Sequence, residues 1–324
     1  MKIPQITKSI VAILLLFTSV ACSNRQGKEE IIVFHAGSLS MPLHKLSKAF
    51  SDDYPEMKLV TEAAGSVASA RKITDLHRDA DIMASSDYVV IDQFLIPDYA
   101  SCNIRFATNS LVLAYMDHSA YAKEVSTENW LEILKRPKVN IGVSDPDADP
   151  CGYRSRLCLE LAERFYAQDS LVNRLLTGDN CYVRPKETDL VSLLETKTID
   201  YVLIYKSVAK QHGLNFVALP DSINLSKPEL NAWYAAASVD IRGKTPDEVI
   251  HVQGEAITYA ITVLNDAPHQ EAAWTFISWL LDPTKGGKII KGCGQEPIYP
   301  AKVNSCKGLP ADVLSKTILN DNLY

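Results

Sequence analysis

A helix start at residues 149–154, whose sequence is DPCGYR, is the most informative segment of this chain. Proline is favoured at the first helical position, so Pro150 and the helical run 154–167 predict an α-helix with Asp149 at its N-cap. The unpaired N–H groups at a helix N-terminus carry partial positive charge and can bind anions. The same pattern is typical of any capped helix, so this segment alone does not distinguish a structural role from anion binding.

Three other segments repeat this design. Residues 31–40 (IIVFHAGSLS) predict a buried strand followed by a glycine, a serine and a helix. Residues 62–73 (EAAGSVASARKI) again have glycine and serine before a helix, and residues 186–194 (KETDLVSLL) have Glu187 directly before one. Four such loops in one chain predict an oxyanion site more strongly than any single loop does.

The remainder of the chain alternates between strands and helices. Further strand-like runs are 58–61, 82–84, 111–115, 140–143, 201–204 and 216–218, and further helical stretches are 127–134 with Ser126 as cap, 189–195 and 271–281. This alternation predicts α/β units built on parallel sheets. The apolar fraction of 47% and the charged fraction of 22% are those of an ordinary globular protein. The net charge of −6 argues against nucleic-acid binding, which requires a basic surface.

The N-terminal segment predicts export. Two lysines precede an apolar run at 10–17, which is too short to span a bilayer but suits a signal peptide. The small residues before Cys22 resemble a bacterial lipoprotein cleavage site, so we expect a signal peptide at 1–21 and a tether at 22–30 that is lipidated on Cys22. The alternative is an ordinary signal peptide cut near Ala21. We therefore expect an extracytoplasmic protein that a lipid anchors to a membrane.

Six cysteines follow Cys22, and none stands in a C-x-x-C pair, which argues against a zinc or thioredoxin-like site. An exported protein can form disulfides, and Cys293 with Cys306 is the first pair to test among the possible pairings. Cys151 differs from the others because it lies at a helix N-terminus. There its backbone N–H, rather than its sulfur, is expected to be the useful group.

Five segments, in this order, resemble the tungstate/molybdate-binding proteins of ABC importers, in the branch whose ligand becomes six-coordinate. They are 35–40, 65–67 with 71–73, 149–154, 187–190 and 205–209, and the resemblance extends from about Ile31 to about Leu309. It implies the type II periplasmic-binding-protein fold, with two α/β domains, a two-crossing hinge and the ligand cleft between the domains. Domain I would comprise 31–107 plus 258–324, and domain II would comprise 108–257.

The resemblance also implies which side chains bind the metal of the oxyanion. The family has an aspartate and a glutamate at the positions of Asp149 and Glu187, and both bond directly to molybdenum or tungsten. These d⁰ centres can accept six oxygen ligands, whereas the central atoms of sulfate and phosphate cannot. Beside sulfate each carboxylate would remain a like charge, which costs about 4 kcal/mol near 4 Å at an effective dielectric of 20. The two acids would thus exclude sulfate.

The oxygens of the bound anion are expected to accept hydrogen bonds from Gly37, Ser38, Ser66, Cys151 and Tyr205, through backbone N–H groups or hydroxyls. Structural alternatives exist for several residues: Ser38 and Ser66 as helix caps, Tyr205 as a core tyrosine and Glu187 as a solvated acid. Arg154 is expected to support the Asp149 loop rather than the ligand.

Three classes of function follow. The favoured one is a monomeric solute-binding lipoprotein without a cofactor, which captures tungstate and/or molybdate and delivers it to an ABC permease. The second is the same fold binding another oxyanion such as sulfate or phosphate. The third is an extracytoplasmic enzyme acting on a phosphate or sulfate ester. An enzyme requires a nucleophile, a positioned base or a catalytic metal site, and the sequence contains no such constellation, so we expect a non-enzyme.

Overall fold

The structure is a computed structural model that describes residues 28–245 and 247–320. The expected signal peptide at 1–21 and the expected lipidation site Cys22 lie outside the described residues. None of the helices in the described ranges is long and apolar enough to cross a membrane.

Fourteen strands run through the described part of the chain. They are β1 (Glu29–Ala36), β2 (Met57–Ala64), β3 (Ile82–Ser85), β4 (Ile104–Thr108), β5 (Leu111–Tyr115), β6 (Ile141–Ser144), β7 (Cys181–Arg184), β8 (Tyr201–Tyr205), β9 (Asn215–Ala218), β10 (Ser238–Arg242), β11 (Val249–Gln253), β12 (Thr258–Val263), β13 (Glu296–Val303) and β14 (Thr317–Leu319). The predicted strand runs all overlap with observed strands, because each is an apolar segment rich in β-branched residues or bounded by turn residues.

The helices connect these strands and pack against the sheets. They are α1 (Ser40–Asp53), α2 (Ser66–Thr74), α3 (Tyr88–Val90, continued by a π-helical turn at Ile91–Leu95), α4 (Trp130–Leu134), α5 (Pro150–Tyr166), α6 (Leu171–Leu176), α7 (Asp189–Glu195), α8 (Lys206–Gln211), α9 (Asn231–Tyr234), α10 (Gln270–Leu280), α11 (Gly286–Gly292) and α12 (Ala311–Leu314). Short 3₁₀ turns lie at Gly37–Leu39 and Pro228–Leu230.

One predicted helix begins later than expected. The helix predicted at 127–134 starts only at Trp130. Ser126 does accept a hydrogen bond at Oγ from the N–H of Glu128, at 3.2 Å, while Asn129 Oδ1 accepts from the N–H of Ser126, at 2.7 Å. These two bonds close a separate turn ahead of the helix, because short polar side chains offer the backbone an alternative to helical hydrogen bonds.

The strands form two large sheets, and each sheet with the helices packed on it is one lobe. The first lobe has the strand order β14-β13-β4-β12-β3-β1-β2, and the second has β7-β6-β8-β5-β9. The hairpin β10–β11 pairs with neither sheet. The first lobe therefore uses both ends of the described chain, and the second uses its middle.

The expectation of parallel sheets was wrong in part, because both sheets are mixed. Strand β1 is parallel to β2 and β3, and β6 is parallel to β7 and β8, whereas β12 and β5 run antiparallel to their neighbours. The physical reason is the path of the chain. Strands β5 and β12 enter their lobes from the crossings and so begin at the edge where the parallel strands end.

Two adjacent crossings connect the lobes. The chain passes from β4 to β5 at Asn109–Ser110 and returns between Gln253 and Thr258. The N–H of Asn109 donates to the carbonyl of Ile257, at 3.3 Å, so the two crossings are tied together. They leave the carboxyl ends of the parallel strands facing each other across a cleft.

The cores of both lobes are apolar, and the thiols of the described cysteines are free. In the first lobe the rings of Phe50 and Phe276 pack edge to face, with centroids 5.2 Å apart, which joins α1 to α10. Within the described residues no disulfide is formed, so Cys293 and Cys306, the first pair to test, are both free.

Candidate functional site

Six loops meet in the cleft, three from each lobe. In the first lobe, Gly37 and Ser38 follow β1, Ser66 follows β2, and Ser86 follows β3; in the second, Asp149 follows β6, Glu187 follows β7, and Tyr205 ends β8. All these residues are buried. The ends of parallel strands are where α/β sheets bind ligands, since backbone groups and helix N-termini converge there. The ligand-site residues that the sequence predicted therefore lie close together in the cleft.

Asp149 joins two loops of the second lobe. Its carboxylate caps α5 by accepting from the N–H of Cys151 at Oδ1, at 3.3 Å. Its Oδ2 accepts from the N–H of Glu187, at 2.9 Å. Burial raises the pKa of Asp149 above its usual range, and these hydrogen bonds oppose that rise. The capping role predicted for Asp149 is present, and the bond to Glu187 adds a link that sequence spacing did not reveal.

Glu187 is buried and has no ion-pair partner among the described residues; its own backbone and Ser38 only partly oppose the rise in its pKa. Its side chain is fully shielded from solvent, and neither carboxylate oxygen has a hydrogen-bond partner among the described residues. Burial first, and then the charge of Asp149, raise the pKa of Glu187 well above its usual range. The alternative of a solvated first-turn acid is therefore wrong. A buried ionised carboxylate is strongly unfavourable unless something pairs with it, so Glu187 is suited to bind a ligand.

Gly37 lies opposite Glu187 across the cleft. A β-carbon on Gly37 would lie 2.8 Å from Oε2 of Glu187 and 3.0 Å from Oγ1 of Thr188. A side chain at position 37 would therefore displace the Glu187 carboxylate from its observed position. The glycine thus brings the backbone of the first lobe against the unpartnered carboxylate of the second.

Hydrogen bonds between hydroxyl groups connect the loops of the cleft. Ser38 Oγ accepts from the phenol of Tyr259, at 2.9 Å, and Ser66 Oγ lies 3.2 Å from Ser86 Oγ. Tyr205 donates across the cleft to Ser86 Oγ, at 3.4 Å. Neither Ser38 nor Ser66 makes a capping bond to its own helix, so the alternative that they are helix caps is wrong. Burial raises the pKa of Tyr205 well above its usual range, which keeps the phenol a hydrogen-bond donor.

The backbone N–H and the thiol of Cys151 have different partners. The N–H points to Asp149, and the thiol lies 3.8 Å from the carbonyl oxygen of Leu203. Burial raises the pKa of the Cys151 thiol well above its usual range, and the nearby carboxylates of Asp149 and Glu187 raise it further. A thiol that is not ionised is a poor nucleophile, so Cys151 is not an activated cysteine.

The two lobes are closed on each other beside the site. A β-carbon on Gly65 would clash with the carbonyl group of Ala148, and the N–H of Ala68 donates to that same carbonyl, at 3.1 Å. Arg71 of α2 donates to the carbonyl of Asp147, at 3.1 Å. Backbone of the first lobe therefore touches the loop that presents Asp149.

Sequence reasoning missed three residues near the site and misassigned a fourth. Ser86 follows a strand, as Ser38 and Ser66 do, and this pattern was the available signal. Asp87 and Tyr259 gave no such signal, because their roles depend on contacts between distant segments. Arg154, which was expected to support the Asp149 loop, instead pairs with Asp87, with Nη2 and Oδ2 2.5 Å apart.

The arrangement suits an anion that supplies its own oxygens. In the ranges 28–245 and 247–320, no three His, Cys, Asp or Glu side chains group as a site for a bare metal ion. Asp149 and Glu187 offer two carboxylates, and the surrounding N–H and hydroxyl groups offer donors. Donors bind the oxygens of an oxyanion, while an ionised carboxylate can bind only a central atom that accepts further oxygen ligands.

Comparison with known proteins gives related sequences and a related fold. A family model described as bacterial extracellular solute-binding protein matches residues 31–292. A protein of Petrotoga mobilis named as an uncharacterized solute-binding protein is 46% identical over 287 residues, which cover 88% of each chain. The molybdate/tungstate-binding protein WtpA of Thermococcus kodakarensis is 40% identical over 309 residues, covering 86% of this chain and 85% of that protein.

Among solved structures, the periplasmic molybdate-binding protein of Azotobacter vinelandii aligns with a TM-score of 0.61 at 15% identity, covering 82% of this chain and 98% of that one. At this identity the likeness establishes the fold alone. It confirms the type II periplasmic-binding-protein fold, in which two α/β domains on a two-crossing hinge enclose the cleft. With a family model matching most of its length and relatives of this similarity, the chain belongs to the family of bacterial extracellular solute-binding proteins.

Proposed function

We propose that this chain is the substrate-binding component of an ABC importer that captures tungstate or molybdate in its cleft and delivers it to a membrane permease. The observation that supports the ligand most directly is the carboxylate of Glu187, which is fully buried, unpartnered among the described residues and adjacent to Asp149. The name of the Thermococcus kodakarensis relative agrees with this ligand.

In the proposed complex, the oxyanion brings four oxygens and the protein supplies two more ligands. Asp149 and Glu187 bond to the tungsten or molybdenum, and both bind in their ionised form. Donors at Gly37, Ser38, Ser66, Cys151 and Tyr205 hydrogen-bond to the oxygens of the anion. No covalent bond of the protein changes, so the chemistry is binding and not catalysis.

Closure of the lobes is the proposed capture step. We assign residues 31–107 plus 258–324 to domain I and 108–257 to domain II, with the ligand entering while they are apart. Because ligand groups come from both domains, the anion makes its full set of bonds only in the closed form. A ligand that binds one form better shifts the population toward that form.

Attachment to the membrane is a separate part of the proposal. The family is extracellular, so the protein acts outside the cytoplasm. We propose cleavage after residue 21 and lipidation of Cys22, which would hold the protein near its permease. We also propose that the protein is a monomer. Cys22→Ser should then move the protein from the membrane fraction to the soluble fraction, or leave it unprocessed. Mature wild-type protein found soluble and unlipidated would contradict the anchor but not the ligand.

X-ray absorption at the tungsten edge, combined with calorimetry, tests the ligand. Six oxygens around tungsten in the wild-type complex are expected, two of them from the protein. Calorimetry should give tight binding of tungstate or molybdate and weak binding of sulfate, because sulfate leaves both carboxylates as like charges beside a dianion. A four-coordinate tetrahedral centre would refute coordination by the carboxylates, and tight sulfate or phosphate binding would favour the other oxyanions as cargo.

A further inference from the structure

A second group of buried charges lies in the cleft, away from the two site carboxylates. Asp87 follows β3 and caps α3 by accepting from the N–H of Val89 at Oδ1, at 3.0 Å. Its Oδ2 accepts from the phenol of Tyr153, at 2.7 Å, and from Arg154 Nη2, at 2.5 Å. Asp87, Tyr153 and Arg154 are all fully buried. Every bond at Oδ2 thus joins the first lobe to helix α5 of the second.

Arg154 also contacts the return crossing. Its Nη1 donates to the carbonyl of Glu255, at 2.8 Å, and its Nη2 lies 3.7 Å from Glu255 Oε1. Tyr88, which follows Asp87 in the chain, donates its phenol to Glu255 Oε2, at 2.7 Å. The guanidinium therefore touches the first lobe and the hinge while it belongs to the second lobe.

One helix connects this group to the ligand site. Asp149 caps the N-terminus of α5, and Arg154 lies within the next turn and a half of the same helix. A helix moves as a rigid element, so rotation that brings Asp149 toward Ser66 also brings Arg154 toward Asp87. Rotation in the opposite direction would separate both pairs.

We propose that Asp87, Tyr153 and Arg154 form a latch that exists only when the lobes are closed and that sets how long the cargo is retained. This inference rests on the proposed function of the cleft, and we call the three residues the Asp87 latch. They are positioning residues: they bind each other across the cleft and act on the cargo through closure. The latch favours a narrow range of domain orientations, since the phenol and the guanidinium must both reach the same oxygen, Oδ2 of Asp87.

The energetic role of the Asp87 latch follows from the burial of its charges. In the open form water solvates Asp87 and Arg154, so the intact pair need not favour closure by much. Removing one partner is different, because closure would then bury an unpaired charge. We therefore expect tungstate affinity to fall when one charge of the latch is removed and to recover when both charges are removed.

Calorimetry and stopped-flow fluorescence with sodium tungstate test the latch on the full soluble chain. Asp87→Asn keeps the capping acceptor for Val89 and removes the nearer of the two carboxylates beside Arg154, leaving only Glu255 Oε1 at 3.7 Å. Tungstate affinity should therefore fall about 100-fold, mainly through faster dissociation. The double change Asp87→Asn/Arg154→Met removes both charges and should return the affinity to within about tenfold of wild type. Tyr153→Phe removes one hydrogen bond to a charged group and should weaken binding about tenfold.

A matched control is the exposed pair of Lys244 and Asp98, whose charged atoms are 3.6 Å apart and join the hairpin to the first lobe. Lys244→Gln should change tungstate affinity less than about threefold, because exposed pairs contribute little. Melting temperatures of the ligand-free variants should stay near wild type if the latch forms only on closure. Wild-type affinity in Asp87→Asn and Tyr153→Phe would overturn the latch and leave the proposed function intact, whereas absence of tungstate binding by the wild type would overturn both.

Discussion

Two groups of buried acids share this cleft, and they differ in how their charges are satisfied. Asp87 has bonds to a backbone N–H, a phenol and a guanidinium, so its charge is compensated within the protein. Glu187 is equally buried, but both of its oxygens lack a partner among the described residues. The difference separates a group that holds the lobes together from a group that is suited to bind what the lobes enclose.

The largest expected effect comes from removing the uncompensated acids. Asp149→Ala or Glu187→Ala should weaken tungstate binding at least about 100-fold, because each change removes one metal–oxygen bond and one ionic partner. Sulfate binding should stay constant or improve, since a like charge near the dianion is lost. Calorimetry with both anions measures the two responses. Glu195→Ala, on an exposed glutamate of α7, is the control and should affect neither. Parallel losses for both anions would mean that the acids only support the fold.

The next effect concerns stability. Tungstate at about 100 times its dissociation constant should add about 2.7 kcal/mol to the free energy of unfolding, because it binds only the folded state. For a chain of this size that corresponds to roughly 4 °C in melting temperature. Scanning calorimetry with tungstate, molybdate and sulfate measures the shift. An unchanged melting temperature in saturating tungstate and molybdate would contradict the assignment of the cargo.

A smaller effect is expected on the closure of the ligand-free protein. The pKa of Glu187 is raised above its ordinary value of 4.5 in the closed form, whereas water solvates the carboxylate in the open form. Closure is therefore most favourable below pH 4.5 and weakens as the pH rises toward the closed-form pKa. The ratio of closed to open molecules falls about tenfold for each pH unit between these two values. The raised pKa of Asp149 acts in the same direction.

Small-angle scattering of the ligand-free protein at several pH values measures this closure. The radius of gyration of the wild type should increase with pH. Glu187→Gln should keep the ligand-free protein more closed at neutral pH and reduce its pH dependence, because it removes the charge that closure would bury. A variant that opens like the wild type would mean that Glu187 is not an obstacle to closure.

The smallest expected effect is that of a single hydroxyl. Tyr205→Phe removes a buried phenol that donates across the cleft to Ser86, so tungstate affinity should fall by about tenfold or less. Tyr182→Phe, on β7 of the same lobe, should leave affinity unchanged. Calorimetry compares the two variants, and equal responses would show that Tyr205 has no specific part in binding.

Local patterns predicted the loops of the site, but long-range contacts determined their partners. Glycine with serine after β1 and β2, and Asp149 with Pro150 after β6, are signatures that a single segment contains. The pairing of Arg154 with Asp87 joins positions 67 residues apart, and no spacing rule reveals it. Mixed sheets were missed for the same reason, since β12 takes its direction from the return crossing and not from its own residues.

Gly65 has a further consequence for the size of the cargo. The backbone around Gly65 already contacts the carbonyl of Ala148, so the two lobes cannot move closer together at that point. If the bound anion were smaller, this backbone contact would prevent the lobes from closing further to form hydrogen bonds with it. A larger anion would instead hold them apart and prevent that contact. Because Gly65 has no side chain, the backbones can come this close, and we expect the closed cleft to select anions by size as well as by the coordination chemistry of the two acids.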